Sequence, residues 1–170
     1  MSDPDRTIRD IGPQDIQAIT RIYNHYIQHS TSTFEEQLVT EKQIEERVRK
    51  VTDSFPISYP WLVATEKGDV VGYAYASPWK ERSAYRFACE TSVYMDSTSH
   101  SRGTGSLLYR ELLAQLASLG ITTAIGVITL PNPRSIKLHE RIGFQQVGHL
   151  HKVGFKFGEW HDTCYWQKQL

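Results

Sequence analysis

The sequence predicts a single α+β domain, built on a mixed, mostly antiparallel central sheet that helices flank. Three segments rich in β-forming residues, at 61–65, 70–77 and 85–95, are joined by short turns, which indicates an antiparallel meander. A helix and a further apolar strand at 122–128 follow them, an order typical of a strand–helix–strand unit. At 170 residues, the chain is long enough to bury a substantial core without disulfides or metal.

Local signals predict the elements before the meander. A short strand is predicted at 7–11, and Gly12–Pro13 then begins a helix. A second helix follows from Thr40, because Thr40–Gln43 has the composition of a capping box. The loop that follows this helix, at 54–60, contains two prolines.

The C-terminal part predicts one short helix and two strands. Asn132 is suited to the N-cap and Pro133 to the first helical position, while Gly143 is suited to ending the helix. The last strands are predicted at 144–151 and 161–168, with a long aromatic turn between them. The predicted order is therefore β-α-α-β-β-β-α-β-α-β-β.

Composition excludes several classes of protein. The net charge of zero leaves no electrostatic footprint for nucleic acid, and no apolar run is long enough to span a membrane. The polar, acid-bearing N-terminus does not resemble a signal peptide. Cys89 and Cys164 lie in predicted strands, so we expect them to be buried free thiols in a reducing cytosol and not a disulfide. His25 and His29 have a metal-binding spacing but no obvious third ligand, so no metal is expected.

The segment 91–119 has the form of a phosphate-binding device. A strand leads into a basic glycine loop, 100–105, and then into a helix whose apolar stripe predicts burial. The stripe consists of Leu107, Leu108, Leu112, Leu113, Leu116 and Leu119. Glycines allow backbone N–H groups to converge on a phosphate, and the helix start adds positive potential. The Lys-Ser/Thr pair of a P-loop and the third glycine of a dinucleotide-binding fingerprint are missing here.

Five blocks in the same order make the chain resemble the GNAT superfamily of N-acetyltransferases, and within it the phosphinothricin and methionine sulfoximine acetyltransferases. They are PWKERSAY (78–85), ETSVYM (90–95), SRGTGSLLY (101–109), LPNPRSIKLHERIGF (130–144) and VGFKFGEWHDTCYWQ (153–167). The glycine loop resembles the family's pyrophosphate loop, Gln/Arg-x-x-Gly-x-Gly/Ala. His100 stands where the family usually has Gln or Arg.

The resemblance implies the GNAT fold, acetyl-CoA as donor and a primary amine as acceptor. It also implies a cytoplasmic, homodimeric enzyme that acts on a small molecule, without nucleic-acid or membrane partners. It assigns acetyl-CoA contacts to the loop and helix start, to the strand before them and to the start of the short helix. These residues are Val93, Tyr94, Met95, Ser101, Arg102, Gly103, Thr104, Gly105, Ser106, Asn132 and Ser135. For Asn132, the N-cap role is a complete alternative explanation.

Two residues are candidates for proton transfer, because an amino acid's α-amine must lose a proton before it attacks a thioester. Glu90 is the sole acid of 87–93 and precedes the phosphate loop, so we expect it to be the base; a paired structural carboxylate is the alternative. His139 stands where the wider superfamily often has a tyrosine acid. It could act as base, as acid for the CoA thiolate, or only in packing. Backbone amides of 93–95 could stabilise the oxyanion if the strand there is splayed.

An anionic acceptor requires cations, and Lys80 and Arg82 lie on one loop before Tyr85. With Phe34, these residues are the predicted substrate contacts. Cys89 could carry an acetyl group, but its apolar neighbours favour burial and direct transfer in a ternary complex. The other functions considered are acetylation of a protein N-terminus or polyamine, and acyl-CoA binding without catalysis.

Overall fold

The computed structural model describes residues 6–99 and 103–170, which form one seven-stranded sheet with helices on both faces. The strands are β1 (Arg6–Asp10), β2 (Trp61–Glu66), β3 (Asp69–Pro78), β4 (Ala88–Met95), β5 (Thr123–Thr129), β6 (Gln145–Lys156) and β7 (Glu159–Gln169). The helices are α1 (Ile16–His29), α2 (Glu41–Thr52), α3 (Thr104–Ser118) and α4 (Pro133–Arg141), with 3₁₀ turns at Pro13–Asp15 and Ser83–Tyr85. None of the helices described is long and apolar enough to cross a membrane.

The sheet has the strand order β1-β2-β3-β4-β5-β7-β6 and is antiparallel except at its centre. There β4 and β5 run parallel and pair only at Ala88–Thr123, Cys89–Ala124 and Glu90–Ile125. The mixed, mostly antiparallel sheet and the order of helices and strands are therefore confirmed. The short central pairing leaves the end of β4 paired with β3 alone.

Alternation along β4 shows how the helices cover the sheet. Thr91 and Tyr94 point to opposite faces, because side chains alternate along a strand. The Thr91 hydroxyl contacts Tyr109 of α3, whereas the Tyr94 ring contacts Tyr23 and Tyr26 of α1. Helix α1 therefore covers one face of the sheet, and α3 covers the other.

Local capping signals were read correctly. The Thr40 side chain accepts from the Gln43 N–H and the Gln43 side chain accepts from the Thr40 N–H, completing the capping box. Asn132 caps α4 by accepting from the Ser135 N–H. Gly143 has a φ of +91°, the left-handed conformation in which glycine is favoured after a helix.

Two predicted boundaries are wrong. The strand expected at 85–95 begins only at Ala88, because Ser83–Tyr85 form a 3₁₀ turn. The expected long aromatic turn at 152–160 is instead the end of a hairpin, in which Phe157 and Gly158 form the turn between β6 and β7. Both turn residues have positive φ, of 54° and 79°, as the tight hairpin turns that match strand twist require. The sequence did not predict this turn, because Phe157, its first residue, is not a residue type typical of such turns.

The apolar stripe of α3 is narrower than predicted. Leu108, Leu112 and Leu116 are fully buried, and Leu113 is nearly so. Leu107 and Leu119 are instead about half exposed. Cys89 and Cys164 are buried free thiols, as expected.

We expect Leu112→Ala to lower the free energy of unfolding by about 2–5 kcal/mol, since it leaves a cavity beneath the sheet. Leu107→Ala is the matched control on the same helix and should change it by less than ~0.5 kcal/mol. Urea denaturation followed by circular dichroism measures both values. Equal losses in the two variants would contradict the assignment of α3's buried face.

Candidate active site

The divergence of β4 and β5 opens a groove of about 580 Å³. Residues 91–95 of β4 and 127–129 of β5 form its sides, and the start of α4 forms one end. Residues 30–32, which follow α1, complete the lining. Of the residues expected to contact a cofactor, Val93, Tyr94, Met95, Asn132 and Ser135 all line this groove, as does the candidate catalytic residue His139.

Backbone groups of β4 face the groove in alternation. The Asp96 N–H donates to the Val71 carbonyl of the β3 side at 2.8 Å, so the amide of Tyr94 also faces β3. The amides of Val93 and Met95 consequently face the groove. On that side, the Tyr26 hydroxyl donates to the Met95 carbonyl at 2.8 Å. The splayed strand expected from the sequence is therefore present, and it aims two of the three predicted amides at the groove.

The glycine loop meets the start of α3. His100, Ser101 and Arg102 lie outside the described residues. Gly103 is the N-cap and has a left-handed φ of +85°, which requires glycine's freedom. The Thr104 hydroxyl is buried and donates to Glu66 at 2.9 Å, so a contact of this residue with a phosphate stays a prediction.

The first turn of α3 holds the remaining loop residues. The Ser106 N–H bonds the Gly103 carbonyl at 3.1 Å. A Cβ atom at Gly105 would lie 3.5 Å from the Met95 sulfur, which places the helix start beside the end of β4. A helix N-terminus of this kind favours negative charge.

The opposite wall of the groove is tied together by polar contacts. The Asn132 amide donates to the Ser32 hydroxyl at 3.3 Å while its oxygen caps α4. The Lys156 ammonium of β6 is buried and donates to the Ser30 and Thr33 carbonyls, each at 2.8 Å. The hairpin thus holds the segment 30–33 against the groove.

A chain of hydrogen bonds lies beneath the groove. His139 Nδ1 is 2.8 Å from the Ser135 carbonyl, and since a carbonyl only accepts, Nδ1 carries the proton. His139 Nε2 then accepts from the Tyr109 hydroxyl at 3.2 Å. Because the Tyr109 proton is given to His139, the Thr91 hydroxyl donates its one proton to the Tyr109 oxygen at 2.6 Å. The Thr91 hydroxyl also lies 3.2 Å from the Ile125 carbonyl. The chain joins α4, α3, β4 and β5.

Burial keeps His139 neutral. The side chain is 5% exposed, and desolvation lowers its pKa below the ordinary 6.5, although the bond to Ser135 partly offsets this. Gly126 makes room for the ring, because a Cβ atom there would lie 2.5 Å from His139 Nε2. The neutral imidazole is therefore held in one tautomer and one position.

Glu90 lies at the last position where β4 pairs with β5, opposite Ser77 of β3 and Ile125 of β5. Its carboxyl group is half-buried. Burial raises its pKa above the ordinary 4.5, and the nearby charge of Lys80 lowers the pKa only in part. A carboxylate with a raised pKa is suited to accepting a proton near neutral pH.

A second cleft, of about 870 Å³, brings together three of the four predicted substrate contacts. Lys80, Arg82 and Tyr85 line it, together with Arg47 and Tyr75. The Lys80 ammonium lies 4.6 Å from the centre of the Trp79 ring, a cation–π contact. Ser77, the partner of Glu90 across the strands, also lines this cleft.

Phe34 lies apart from this cleft. Its ring packs against Gly154 of the hairpin, where a Cβ atom would approach to 2.1 Å. The ring is 37% exposed, and its centre lies 6.3 Å from that of His161. A role for Phe34 in substrate binding remains a prediction.

Sequence reasoning missed several residues of both clefts. Tyr109 looks like one more residue of a helix, and Tyr26 like part of an apolar face. Arg47 has the pattern of a solvated residue on the polar face of α2. It makes a bidentate ion pair with Glu35, with N–O distances of 2.6 and 3.0 Å. Only the position of Gly126 in a strand, where glycine often marks a close approach, hinted at the buried histidine.

Comparison with known proteins decides the family. A family model described as an acetyltransferase (GNAT) domain matches residues 8–165. The chain belongs to the GNAT acetyltransferases. It is an acetyl-CoA-dependent N-acetyltransferase. We call the groove between β4 and β5 the acetyl-CoA groove, because five of the residues expected to contact this cofactor line it.

Relatives cover nearly the whole GNAT chain. A phosphinothricin N-acetyltransferase of Streptomyces viridochromogenes is 39% identical over 96% of this chain and 87% of its own. An L-methionine sulfoximine/L-methionine sulfone acetyltransferase of Salmonella typhimurium is 32% identical, covering 96% and 94%. The crystal structure of a phosphinothricin acetyltransferase of Sinorhizobium meliloti in complex with AcCoA is 37% identical. It superposes with a TM-score of 0.92 over 98% of this chain and 89% of that one.

We expect His139 to be the Nδ1–H tautomer and to titrate below 6.5 in the folded protein. Because burial lowers its folded pKa, its contribution to folding stability is constant above pH 6.5 and falls as the pH drops below that value. Long-range ¹H–¹⁵N NMR of the histidine rings measures the tautomer and the pKa, with His139→Asn assigning the signal. An Nε2–H tautomer or a pKa above 6.5 would contradict the network.

Proposed function

We propose that this enzyme transfers the acetyl group of acetyl-CoA to the α-amine of a small, anionic amino-acid-like acceptor. Phosphinothricin, methionine sulfoximine and methionine sulfone are the acceptors that the names of the relatives suggest. The observation that carries the proposal is the cationic second cleft, where Lys80 and Arg82 lie beside the strand that holds Glu90. A polyamine would require clustered acids, whereas Glu81 is the one acid among the described residues that line this cleft.

The acceptor would bind between the cationic side chains of the second cleft and the acidic side chain of Glu90. Its carboxylate and its phosphinate or sulfoximine oxygens would meet Lys80 and Arg82. Arg47 already pairs with Glu35, which compensates its charge, so the acceptor would depend on Lys80 and Arg82. The amine would then point along β4 toward Glu90, from which the acetyl-CoA groove begins. This placement brings amine and thioester together, which supplies much of the rate in a transfer of this kind.

Glu90 serves as the base in the proposed reaction. Its carboxylate takes a proton from the ammonium group, directly or through one water, and the free amine attacks the thioester carbonyl carbon. A C–N bond forms and the carbonyl oxygen becomes an oxyanion, which the Val93 and Met95 N–H groups would stabilise. The C–S bond then breaks, the nitrogen gives up its second proton, the departing CoA thiolate takes up a proton in balance, and the neutral amide is released.

His139 acts as a positioning residue in this proposal. Both ring nitrogens are hydrogen-bonded within the chain, to the Ser135 carbonyl and to Tyr109. A neutral ring in this state holds α4, and with it Asn132 and Ser135, at the wall of the groove. The proton transfer therefore falls to Glu90.

Direct transfer in a ternary complex is supported by the state of Cys89. Its thiol is fully buried, and burial together with the Glu90 charge raises its pKa to about 12. A thiolate is the reactive form of cysteine, so an acetyl-cysteine intermediate is disfavoured. An intersecting pattern of initial rates would support the ternary complex, whereas parallel lines would overturn it.

A cytoplasmic homodimer is part of the same proposal. Exposed apolar side chains on the β6–β7 hairpin offer a surface for a second copy, with Phe155 and Trp160 in mutual contact at 5.2 Å between ring centres. Light scattering during size exclusion measures the assembly. A dimer that Trp160→Glu converts to a monomer supports this surface, and a wild-type monomer overturns it.

The function is tested by following CoA thiol release with a panel of acceptors. The panel contains phosphinothricin, methionine sulfoximine, methionine sulfone, glutamate, methionine, spermidine and a short peptide. We expect turnover on the first three, with Lys80→Ala raising KM more than it lowers kcat, because Lys80 contributes binding. Turnover only on spermidine or peptide would replace the proposed substrate class. Acetyl-CoA binding without any turnover would favour a non-catalytic module.

For Glu90→Gln we expect kcat/KM to fall about 10²–10⁴-fold, the usual contribution of a general base. In the wild type, the acid limb of kcat/KM should lie above pH 4.5, because burial raises the Glu90 pKa. Lys80→Ala should move this limb upward, since the Lys80 charge lowers that pKa, while Lys80→Arg should leave it nearly in place. If neither Lys80→Ala nor Glu90→Gln changed the acid limb, Glu90 would be ruled out as the base.

A further inference from the structure

Three potential metal ligands converge on the β6–β7 hairpin, outside both clefts. His149 and His151 are alternate residues of β6, and Asp162 lies across from them on β7. The ladder pairs Leu150 with Thr163 and next Gly154 with His161. Three residues of β6 therefore face one residue of β7, and this bulge brings both imidazoles to the same carboxylate.

The ligand atoms are already close together. Asp162 Oδ2 lies 2.8 Å from His149 Nε2 and 3.0 Å from His151 Nδ1. One ligand atom from each of the three side chains falls within 4.8 Å of the others. The side chains are 36%, 76% and 30% exposed for His149, His151 and Asp162, so an ion could enter from solvent.

The backbone orients the carboxylate. Lys152 has a left-handed φ of 50°, uncommon for a residue other than glycine, and its N–H donates to Asp162 Oδ1 at 2.8 Å. This bond holds one carboxylate oxygen and turns the other toward the two rings, as groups that hydrogen-bond to metal ligands do. Together with the histidine contacts, it lowers the Asp162 pKa to about 2, so the group is ionised at neutral pH.

We propose that His149 Nε2, His151 Nδ1 and Asp162 Oδ2 bind one divalent transition-metal ion of the zinc type. Two imidazoles and a carboxylate suit zinc, whereas magnesium and calcium prefer oxygen ligands. Ligand atoms about 2.0–2.1 Å from a tetrahedral zinc lie roughly 3.3 Å apart. The two contacts with Asp162 need to open by a few tenths of an ångström. The two imidazole nitrogens, which lie within 4.8 Å of each other, need to turn toward the same separation, and water would complete the coordination.

The ion would act on the hairpin and not on the reaction. None of the three ligands lines the acetyl-CoA groove or the cationic cleft. Bound metal would join the bulged part of β6 to β7 and would resist local opening of the two strands. It would therefore raise the thermal midpoint of unfolding without changing turnover.

The test is a titration of untagged protein with zinc alone, by calorimetry or by competition with a chromophoric chelator, with cobalt as a spectroscopic probe. We expect one equivalent to bind. Asp162→Asn and His149→Ala should each weaken binding at least tenfold, consistent with the loss of a ligand or its orientation. His151→Ala should do the same and leave acetyl transfer without added metal unchanged.

A matched control separates this site from the other histidine pair. His25 and His29 of α1 are exposed, with ring centres 4.8 Å apart. The double variant His25→Ala/His29→Ala should bind zinc as the wild type does. Thermal unfolding should show a zinc-dependent rise in the wild type and the control, and none in Asp162→Asn. No binding by the wild type at millimolar zinc, or binding lost only in the control, would overturn the proposal.

Discussion

The early end of the β4–β5 pairing is the constraint on which the rest of the molecule depends. Three residue pairs hold the two parallel strands, and beyond Glu90 they separate. The separation frees the Val93 and Met95 amides toward the groove, whereas a continuous ladder would have consumed them. It also leaves Glu90 as the last residue of β4 that pairs with β5, opposite Ser77, which lines the cationic cleft.

Such a gap in a sheet must be supported from both faces, because the strands no longer support each other there. On one face, the Tyr109 hydroxyl links Thr91 of β4 to His139 of α4. On the other, Tyr26 of α1 bonds the Met95 carbonyl. These groups are polar, and each of their bonds replaces a contact with water that burial removes. The groove is thus bounded by a hydrogen-bonded frame instead of apolar packing alone.

Much of the candidate site followed from the sequence, but its organisation did not. The order of the five sequence blocks indicated the family, and Glu90, His139 and the loop around Lys80 were predicted as site residues. The raised pKa of Glu90 could not be predicted, since it arises from burial that only the packed sheet creates. The same holds for His139, whose possible role as base or acid narrowed once its two nitrogens were seen to be hydrogen-bonded.

By itself the sequence determined the elements whose signals are local. The capping box at Thr40, the Asn132 cap and the buried stripe of α3 depend on neighbours within a few residues, so they can be read directly. Tertiary structure alone decided contacts between distant residues, such as Lys156 with the carbonyls of 30 and 33. It also brought Asp162 to His149 and His151, through a bulge and a turn that the residue types at these positions do not predict. The physical reason is that a short-range pattern fixes backbone conformation, whereas the meeting of side chains depends on how the whole sheet is ordered and twisted.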